Sequence, residues 1–331
     1  MELLITGGNG LLGHHLIEAL HARGDRPRVL ALPGENTSWL EKRSVPVFRG
    51  DVCQPDTLGP ATIGADAVVH LAGMMGLWRP YQDYHDVNVS GTENVCRTAI
   101  KEGVGRVVHV SSWTVYGMDL GQSCDEECPL RPFPEPYALT KAAGDQVVQR
   151  LIAEEGLNAV IVRPGTFFGP EDRLHFGRIA DRLASRKAVV VGKGGNALPF
   201  VYVTDVVQGL LLALDHPEAI GQAFNITNDQ PLTQQEFMDF TASEIGAEAP
   251  RIHVPYKPLY AAGHAAERVA GAIRMRRQPP VTRLGVKLFG TDNRHSIHKA
   301  RRMLGFEPRV TLREGIQLAA DWYLHRQPVG A

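Results

Sequence analysis

The chain has 331 residues, 44% of them hydrophobic and 21% charged, which excludes collagen-like, disordered and mini-protein classes. Thirty-five Lys and Arg against 36 Asp and Glu leave a net charge of −1, so no global field is available to hold nucleic acid or an anionic membrane. Any anion must be bound locally, and 34 glycines with 22 prolines suit the strand-to-helix turns of an α/β chain better than a helical bundle.

The opening Met1-Glu2-Leu3-Leu4-Ile5-Thr6-Gly7 lacks a positive n-region and its apolar run stops after three residues, so it reads as a strand rather than a secretory signal. A glycine cluster and a helical pattern through Leu16, Ile17, Ala19 and Leu20 follow. Short apolar runs rich in β-branched residues recur at 29–32, 45–48, 67–71, 106–110 and 159–162, with helices expected at 89–102 and 137–155. Such runs, separated by helices, predict strands buried on both faces of a parallel sheet. After Gly169-Pro170 the pattern loosens into a polar helix near 177–185, an apolar strand at 188–191 and a Gly-rich turn at 192–195. The segment 200–214 is expected to return to the first lobe. No window reaches about 18 uninterrupted apolar residues, so stable membrane insertion is not expected. Cys53, Cys96, Cys124 and Cys128 are too few and too scattered for a disulfide framework, which points to a reducing, cytoplasmic setting.

Gly7-Gly8-Asn9-Gly10-Leu11-Leu12-Gly13 directly follows the first strand and opens the first helix. Such a turn lets backbone approach a pyrophosphate, the helix start offers free N–H groups and its positive dipole end, and Gly13 permits close helix packing. Asp51-Val52, after the third apolar run, places a carboxylate where it can accept from an adenine amino group. Leu71-Ala72-Gly73, after His70, ends a strand with residues that admit a flat ring or ribose near backbone. Together these segments trace a dinucleotide across the strand ends of a Rossmann-type doubly wound parallel sheet. That sheet is expected to use 1–168 with 199–228, and a smaller, discontinuous substrate lobe 169–198 with 229–331.

Ser112 follows the strand that ends at Val110, and Tyr137 and Lys141 stand at i and i+4 on the next long helix, sharing one face. A phenol near pKa 10 is a poor base at neutrality, but a neighbouring ammonium and an oxidised nicotinamide both favour phenolate. Ser112 is then expected to hold a substrate oxygen while Tyr137 exchanges its proton.

On these residues the chain resembles the extended short-chain dehydrogenase/reductases of the NAD-dependent epimerase/dehydratase superfamily. The resemblance continues through Arg163-Pro164-Gly165-Thr166-Phe167-Phe168-Gly169-Pro170, Phe200-Val201-Tyr202-Val203-Thr204-Asp205 and Phe224-Asn225-Ile226-Thr227, covering nearly the whole chain. It implies an NAD(P)-dependent enzyme in which Pro164, Gly165 and Thr166 also support the cofactor, and Lys141 bonds the nicotinamide ribose as well as tuning Tyr137. Asn88 is implied beside the active-site helix and the cofactor, although a helix N-cap is an equally open reading. A homodimer through 89–102 and 137–155 is implied too, with Val95, Ala99, Ala142, Val147 and Leu151 as apolar positions for the contact.

Two enzyme readings compete: an alcohol–ketone oxidoreductase on a largely apolar small molecule, and a nucleotide-sugar epimerase or dehydratase with tightly bound NAD. A third reading, a redox sensor or scaffold, fits poorly with a complete Ser, Tyr and Lys set. Nucleotide-sugar members of the family commonly carry Arg-Asp before the Phe-Val-Tyr-Val segment, whereas Leu198-Pro199 stands here. The tail from Pro279 to Pro308 resembles the 3β-hydroxysteroid dehydrogenase-like branch. Trp78, Tyr81, Tyr84, Phe167, Phe168, Phe176 and Tyr256 are expected candidates for the substrate wall. Leu32-Pro33 occupies the place of the carboxylate that usually selects NAD, with Glu35 displaced into the loop, so the sequence leans to NADP, with Arg28 or Arg43 meeting the extra phosphate.

No metal site is expected. His14, Glu18 and His21 share a helix face, but a solvated polar face is the plainer reading. Cys124 to Cys128 lacks a second ligand pair and reads as a surface loop. Arg274-Met275-Arg276-Arg277 reads as a solvated helix end, with an anchor for an acidic substrate tail or a weak membrane contact as alternatives.

Overall fold

The computed structural model describes residues 1–76, 78–273, 275 and 278–325. Arg274, Arg276 and Arg277 of the basic cluster lie outside the described residues. In chain order the strands are β1 (Glu2–Thr6), β2 (Arg26–Ala31), β3 (Val47–Arg49), β4 (Ala67–His70), β5 (Arg106–Val110), β6 (Ala159–Pro164), β7 (Thr166–Phe168), β8 (Val190–Val191), β9 (Phe200–Tyr202), β10 (Ala223–Ile226) and β11 (His253–Val254).

Seven of them form one parallel sheet in the order β10-β6-β5-β4-β1-β2-β3. The chain winds outward from β1 through β2 to β3, then returns to the other side of β1 with β4, so the winding reverses between β1 and β4. This is the doubly wound Rossmann type, and ligands of such sheets bind outside the carboxyl ends of the strands at that reversal. The two remaining strand pairs, β7 with β9 and β8 with β11, lie outside the sheet.

Alternating side chains divide the sheet between two cores. Leu3, Ile5, Val69 and Val108 join Leu16, Ile17 and Leu20 of the Leu11–Ala22 helix on one face. Leu4, Val68, Val107 and Ile161 join Val95 and Ala99 of the Thr92–Lys101 helix and Val148 and Leu151 of the Pro136–Glu155 helix on the other. Most positions expected to exceed one sheet face are thereby consumed inside the chain: Val95, Ala99, Ala142 and Leu151 are buried, and Val147 packs against the same core. The outer faces of these two helices instead carry Arg97, Glu93, Arg150 and Glu155 in mutual ion pairs.

Several boundaries differ from the sequence expectation for physical reasons. β2 begins at Arg26 and includes Pro27, which is tolerated because β3 pairs only with 29–31 and requires no N–H from position 27. The run expected at 188–191 pairs only through Val190 and Val191, against His253 and Val254. Cys124 does not lie on the surface: it is fully buried against Val115, Tyr116 and Ala142, and its backbone bridges to the segment around His295.

Candidate active site

The glycine turn is built for close approach. Gly7 has φ +69°, and a Cβ there would lie 2.7 Å from the Ala72 nitrogen, so β1 and β4 meet too tightly for a side chain. A Cβ on Gly13 would lie 2.3 Å from the Gly8 carbonyl oxygen, which seats the helix directly on the turn. Gly10 caps the Leu11–Ala22 helix without a side-chain bond, and its carbonyl accepts the first helical bond, from His14. The N–H groups of Leu11, Leu12 and Gly13 therefore precede the helical ladder, and no acidic side chain occupies that first turn. A pyrophosphate fits this positive, uncluttered end.

Asn9 lies beside the turn, but its amide is directed at the loop after β2, donating to Glu35 Oε1 at 3.0 Å and the Asn36 carbonyl at 2.8 Å. The other oxygen of Glu35 accepts from Leu32 N–H at 3.1 Å. The carboxylate that the sequence places out in a loop thus folds back to the end of β2. Neither arginine considered for a ribose phosphate faces this end: Arg28 donates to the Thr62 and Ile63 carbonyls, and Arg43 pairs with Glu18 and lies over Trp39. Asp51 holds its own turn by accepting from Cys53 N–H, while Val52 is packed in the core.

At the end of β4, Leu71 N–H donates to the Thr6 carbonyl and Ala72 N–H to Thr6 Oγ1. A Cβ on Gly73 would lie 3.3 Å from Asn88 Oδ1 and 3.8 Å from Lys141 Nζ, so this corner, Asn88 and Lys141 share one small space. Asn88 is not a helix cap. It stands within the π-helical turn Asp86–Gly91, and its amide clamps Met74 through both backbone groups and donates to Thr140 Oγ1.

Ser112, Tyr137 and Lys141 converge at the carboxyl ends of β4, β5 and β6. The Pro136–Glu155 helix starts where Glu135 accepts from Tyr137 and Ala138 N–H, and Pro136 at its first position presets the turn. Tyr137 and Ser112 line the same cavity; burial pushes the phenol above its ordinary value, and the Ser112 hydroxyl opposes that rise. Lys141 Nζ donates to the Val110 carbonyl at 2.6 Å, and burial brings its ammonium down to about 8, with Asp145 opposing. Thr114, which sequence reasoning passed over, donates to Ser112 Oγ from its hydroxyl at 2.9 Å and from its N–H at 3.2 Å. The Ser-x-Thr spacing was its only available signal.

Beside this set lies a cavity of about 440 Å³, walled by Ser112, Tyr137, Pro164, Gly165 and Thr166 and by apolar groups such as Trp113, Phe133, Phe167, Leu284 and Leu288. Trp113 is fixed by its indole N–H donating to Thr166 Oγ1. Of the aromatic candidates, Trp78, Tyr84 and Phe167 line this cavity. Phe168 and Phe176 instead stack in the core with Phe200 and Phe237 nearby, Tyr81 is exposed, and Tyr256 packs on Tyr260 and Gly290. Leu198 is wholly buried outside the cavity wall, and the Pro199 carbonyl accepts from Thr166 N–H. His14 and Glu18, read as polar neighbours on one helix, are engaged separately with Glu171 and Arg43.

A fold that reverses at β1 and β4, a phosphate-ready turn there, and Ser, Tyr and Lys beside the same strand ends define a nicotinamide-dependent enzyme class. The chain belongs to the NAD dependent epimerase/dehydratase family, whose model matches residues 3–227. It is 32% identical over 327 residues to a 2-alkyl-3-oxoalkanoate reductase of Stenotrophomonas maltophilia (strain K279a), covering 96% of this chain and 98% of that one. It is 29% identical over 334 residues to the decarboxylating sterol-4-alpha-carboxylate 3-dehydrogenase of Mus musculus, covering 97% and 90%. Among solved structures it resembles the dTDP-glucose 4,6-dehydratase DesIV of Streptomyces venezuelae, solved with NAD bound, at 26% identity and TM-score 0.79, covering 98% and 97%. No helix of the described residues is long and apolar enough to cross a membrane.

Proposed function

We propose that the protein interconverts a secondary alcohol and a ketone on a largely apolar small molecule, using Ser112, Tyr137 and Lys141. The observation that carries this reading is the wall of the cavity: aromatic and aliphatic side chains surround the Ser112–Tyr137 pair. The reductase and sterol dehydrogenase relatives, by their names, act on molecules with an oxygen at carbon 3 and a carboxylate nearby, which fits the same class.

When bound, the nicotinamide supplies or takes the hydride. Ser112, oriented by Thr114, donates to the substrate oxygen and fixes the reacting carbon. Tyr137 gives or takes the hydroxyl proton, and Lys141, anchored on Val110, holds positive charge beside the phenol and favours its ionised form. Gly7, Gly10 and Gly13 with the N–H groups of Leu11 and Leu12 receive the pyrophosphate. Asp51 and Val52 border the adenine, Leu71, Ala72 and Gly73 the ribose side, and Pro164, Gly165 and Thr166 the nicotinamide; Asn88 braces Met74 and Thr140 behind them.

For the adenosine end we propose NAD, reversing the lean toward NADP. A carboxylate folded onto the end of β2 accepts from a ribose hydroxyl and repels a ribose phosphate. A cytoplasmic enzyme with residues 1–168 and 199–228 for the cofactor and the remainder for the substrate completes the reading. A homodimer through the same helices would place the Arg97, Glu93, Arg150 and Glu155 network, rather than the buried apolar positions, at its contact.

The alternative, a nucleotide-sugar epimerase or dehydratase, is favoured by one observation: Arg268 stands at the cavity mouth with no ion pair among the described residues. A panel of ketones, secondary alcohols and nucleotide sugars, followed by nicotinamide absorbance, decides between them. Net cofactor turnover with apolar alcohols supports the proposal. Sugar conversion without net cofactor turnover overturns it, and cofactor binding with no chemistry across the panel favours the sensor.

A further inference from the structure

We infer that His70, in its Nε2–H tautomer, is a positioning residue for the cofactor: it couples the hydroxyl of Thr6, at the entry to the glycine turn, to the turn that carries Asn88, and so sets the strand end that borders the nicotinamide ribose. This rests on the dinucleotide reading above and adds a wholly buried residue, out of reach of cofactor and substrate alike.

Thr6 and His70 are register partners on β1 and β4, and both are buried, as are Asn88 and Thr92. Thr6 Oγ1 lies 2.7 Å from His70 Nδ1, and His70 Nε2 lies 3.1 Å from Thr92 Oγ1. Thr92 Oγ1 donates to the Asn88 carbonyl at 2.8 Å. Groups buried this deeply are satisfied by one another.

One proton per hydroxyl fixes the direction of these bonds. Thr92 gives its proton to the Asn88 carbonyl, so its oxygen accepts from His70, and the ring hydrogen sits on Nε2. Nδ1 is then bare and accepts from Thr6, whose oxygen stays open to the Ala72 N–H, 3.2 Å away. The chain runs unbroken from Ala72 N–H through Thr6, His70 and Thr92 to the Asn88 carbonyl. The opposite tautomer reverses both ring bonds. It draws the Thr92 proton away from Asn88 and leaves the Thr6 proton without an acceptor in the chain, one bond fewer in all. Imidazolium fails in the same way at Thr6, and burial disfavours it. The neighbouring His109 has no partner for either ring nitrogen and takes no part.

The two ends of this chain hold the two ends of one segment. Thr6 anchors Leu71 through its carbonyl and Ala72 through its hydroxyl. Asn88 clamps Met74 through both backbone groups and reaches Thr140, on the helix that bears Tyr137 and Lys141. Gly73 lies between the anchors, in the space shared with Lys141. A ring that joins both anchors holds this corner as one unit with the glycine turn.

The test uses the full chain. Long-range proton–nitrogen spectra of the imidazoles, recorded on the cofactor-free protein at pH 7.5, are expected to show His70 with its hydrogen on Nε2 and a bare Nδ1. Thr92→Val keeps the side-chain shape but removes the acceptor of that hydrogen, and is expected to move the ring to the Nδ1–H form; Thr92→Ser is expected to keep the wild-type form. In calorimetric titrations Thr92→Val is expected to weaken NADH about tenfold and ADP less than about threefold, because ADP brings a diphosphate to the glycine turn but no nicotinamide ribose. Thr92→Ser is expected to recover NADH binding to within about threefold of wild type. An unchanged NADH affinity in Thr92→Val overturns the inference, as do equal losses on NADH and ADP, the mark of a general structural injury. Failure of the wild-type protein to bind NADH overturns the dinucleotide reading and this inference together. An Nδ1–H ring in a wild-type protein that binds NADH overturns this inference alone.

Discussion

Arg163 on β6 and Asp145 on the Pro136–Glu155 helix form a doubly bonded ion pair, Nε to Oδ2 at 2.8 Å and Nη2 to Oδ1 at 3.0 Å, with only 3% of one side chain and none of the other exposed. Asp145 lies one helical turn beyond Lys141, so the pair ties the helix bearing Tyr137 and Lys141 to the sheet. Arg163 also donates to the Tyr116 hydroxyl, which donates to Asn225 Oδ1.

Arg163→Leu leaves Asp145 buried without its partner and is expected to cost about 3–5 kcal/mol in urea denaturation. The double replacement with Asp145→Leu removes the stranded charge and should recover much of that loss. A single variant as stable as wild type would show that the pair contributes nothing to holding the helix.

Thr114 orients the Ser112 hydroxyl rather than touching packing alone. Thr114→Val is therefore expected to lower kcat about tenfold with little change in melting temperature, and Tyr137→Phe to lower it about 100-fold or more while cofactor binding persists. Steady-state rates and cofactor titrations on both variants check this. A Tyr137→Phe enzyme of near-normal rate removes the phenol from the chemistry.

His70 on β4 and His109 on β5 are paired in register, with ring centroids 5.4 Å apart, and both are fully buried. Burial brings His70 down to about 3, with the Lys141 ammonium adding to the effect, and holds His109 well below the ordinary imidazole range for the same two reasons, in that order. The unfolded chain binds these protons below about pH 6.5 while the native state refuses them, so stability falls as pH drops from there toward about 3. His70 contributes up to about 1.4 kcal/mol per pH unit across that window, and His109 acts in the same direction. Urea midpoints at pH 7.5 and 5.5 measure the slope. His109→Leu, whose ring nitrogens have no partner to lose, should flatten it; an unchanged slope would assign the acid sensitivity to other groups.

Glu35 meets the end of β2 through Leu32 N–H and is held there by Asn9. Glu35→Gln is expected to shift the ratio of dissociation constants for NADPH and NADH by about tenfold toward NADPH, from removal of one charge beside the ribose. Tighter binding of NADPH than NADH by the unaltered protein would reverse the cofactor assignment.

The glycine turn, the sheet strands and the Ser, Tyr and Lys positions were legible from sequence because each depends on short-range geometry. A strand leading into G-x-x-G-x-x-G and then an apolar helix has one arrangement, and i, i+4 spacing puts Tyr137 and Lys141 on one face whatever surrounds them. The same reasoning failed where distant packing selects among equal local choices. Phe167 and Phe168 are neighbours in sequence, yet strand alternation sends Phe167 to the cavity and Phe168 into the aromatic core.

Sequence alone thus determined that a dinucleotide fold with a Tyr-x-x-x-Lys helix would form, because turn chemistry and apolar periodicity are properties of adjacent residues. Tertiary structure alone decided that Glu35 folds back onto β2 and that Val95 and Leu151 face inward. Those relations depend on which surfaces the sheet and its helices leave to be filled, and a buried polar or apolar group settles where partners from remote segments complete its contacts.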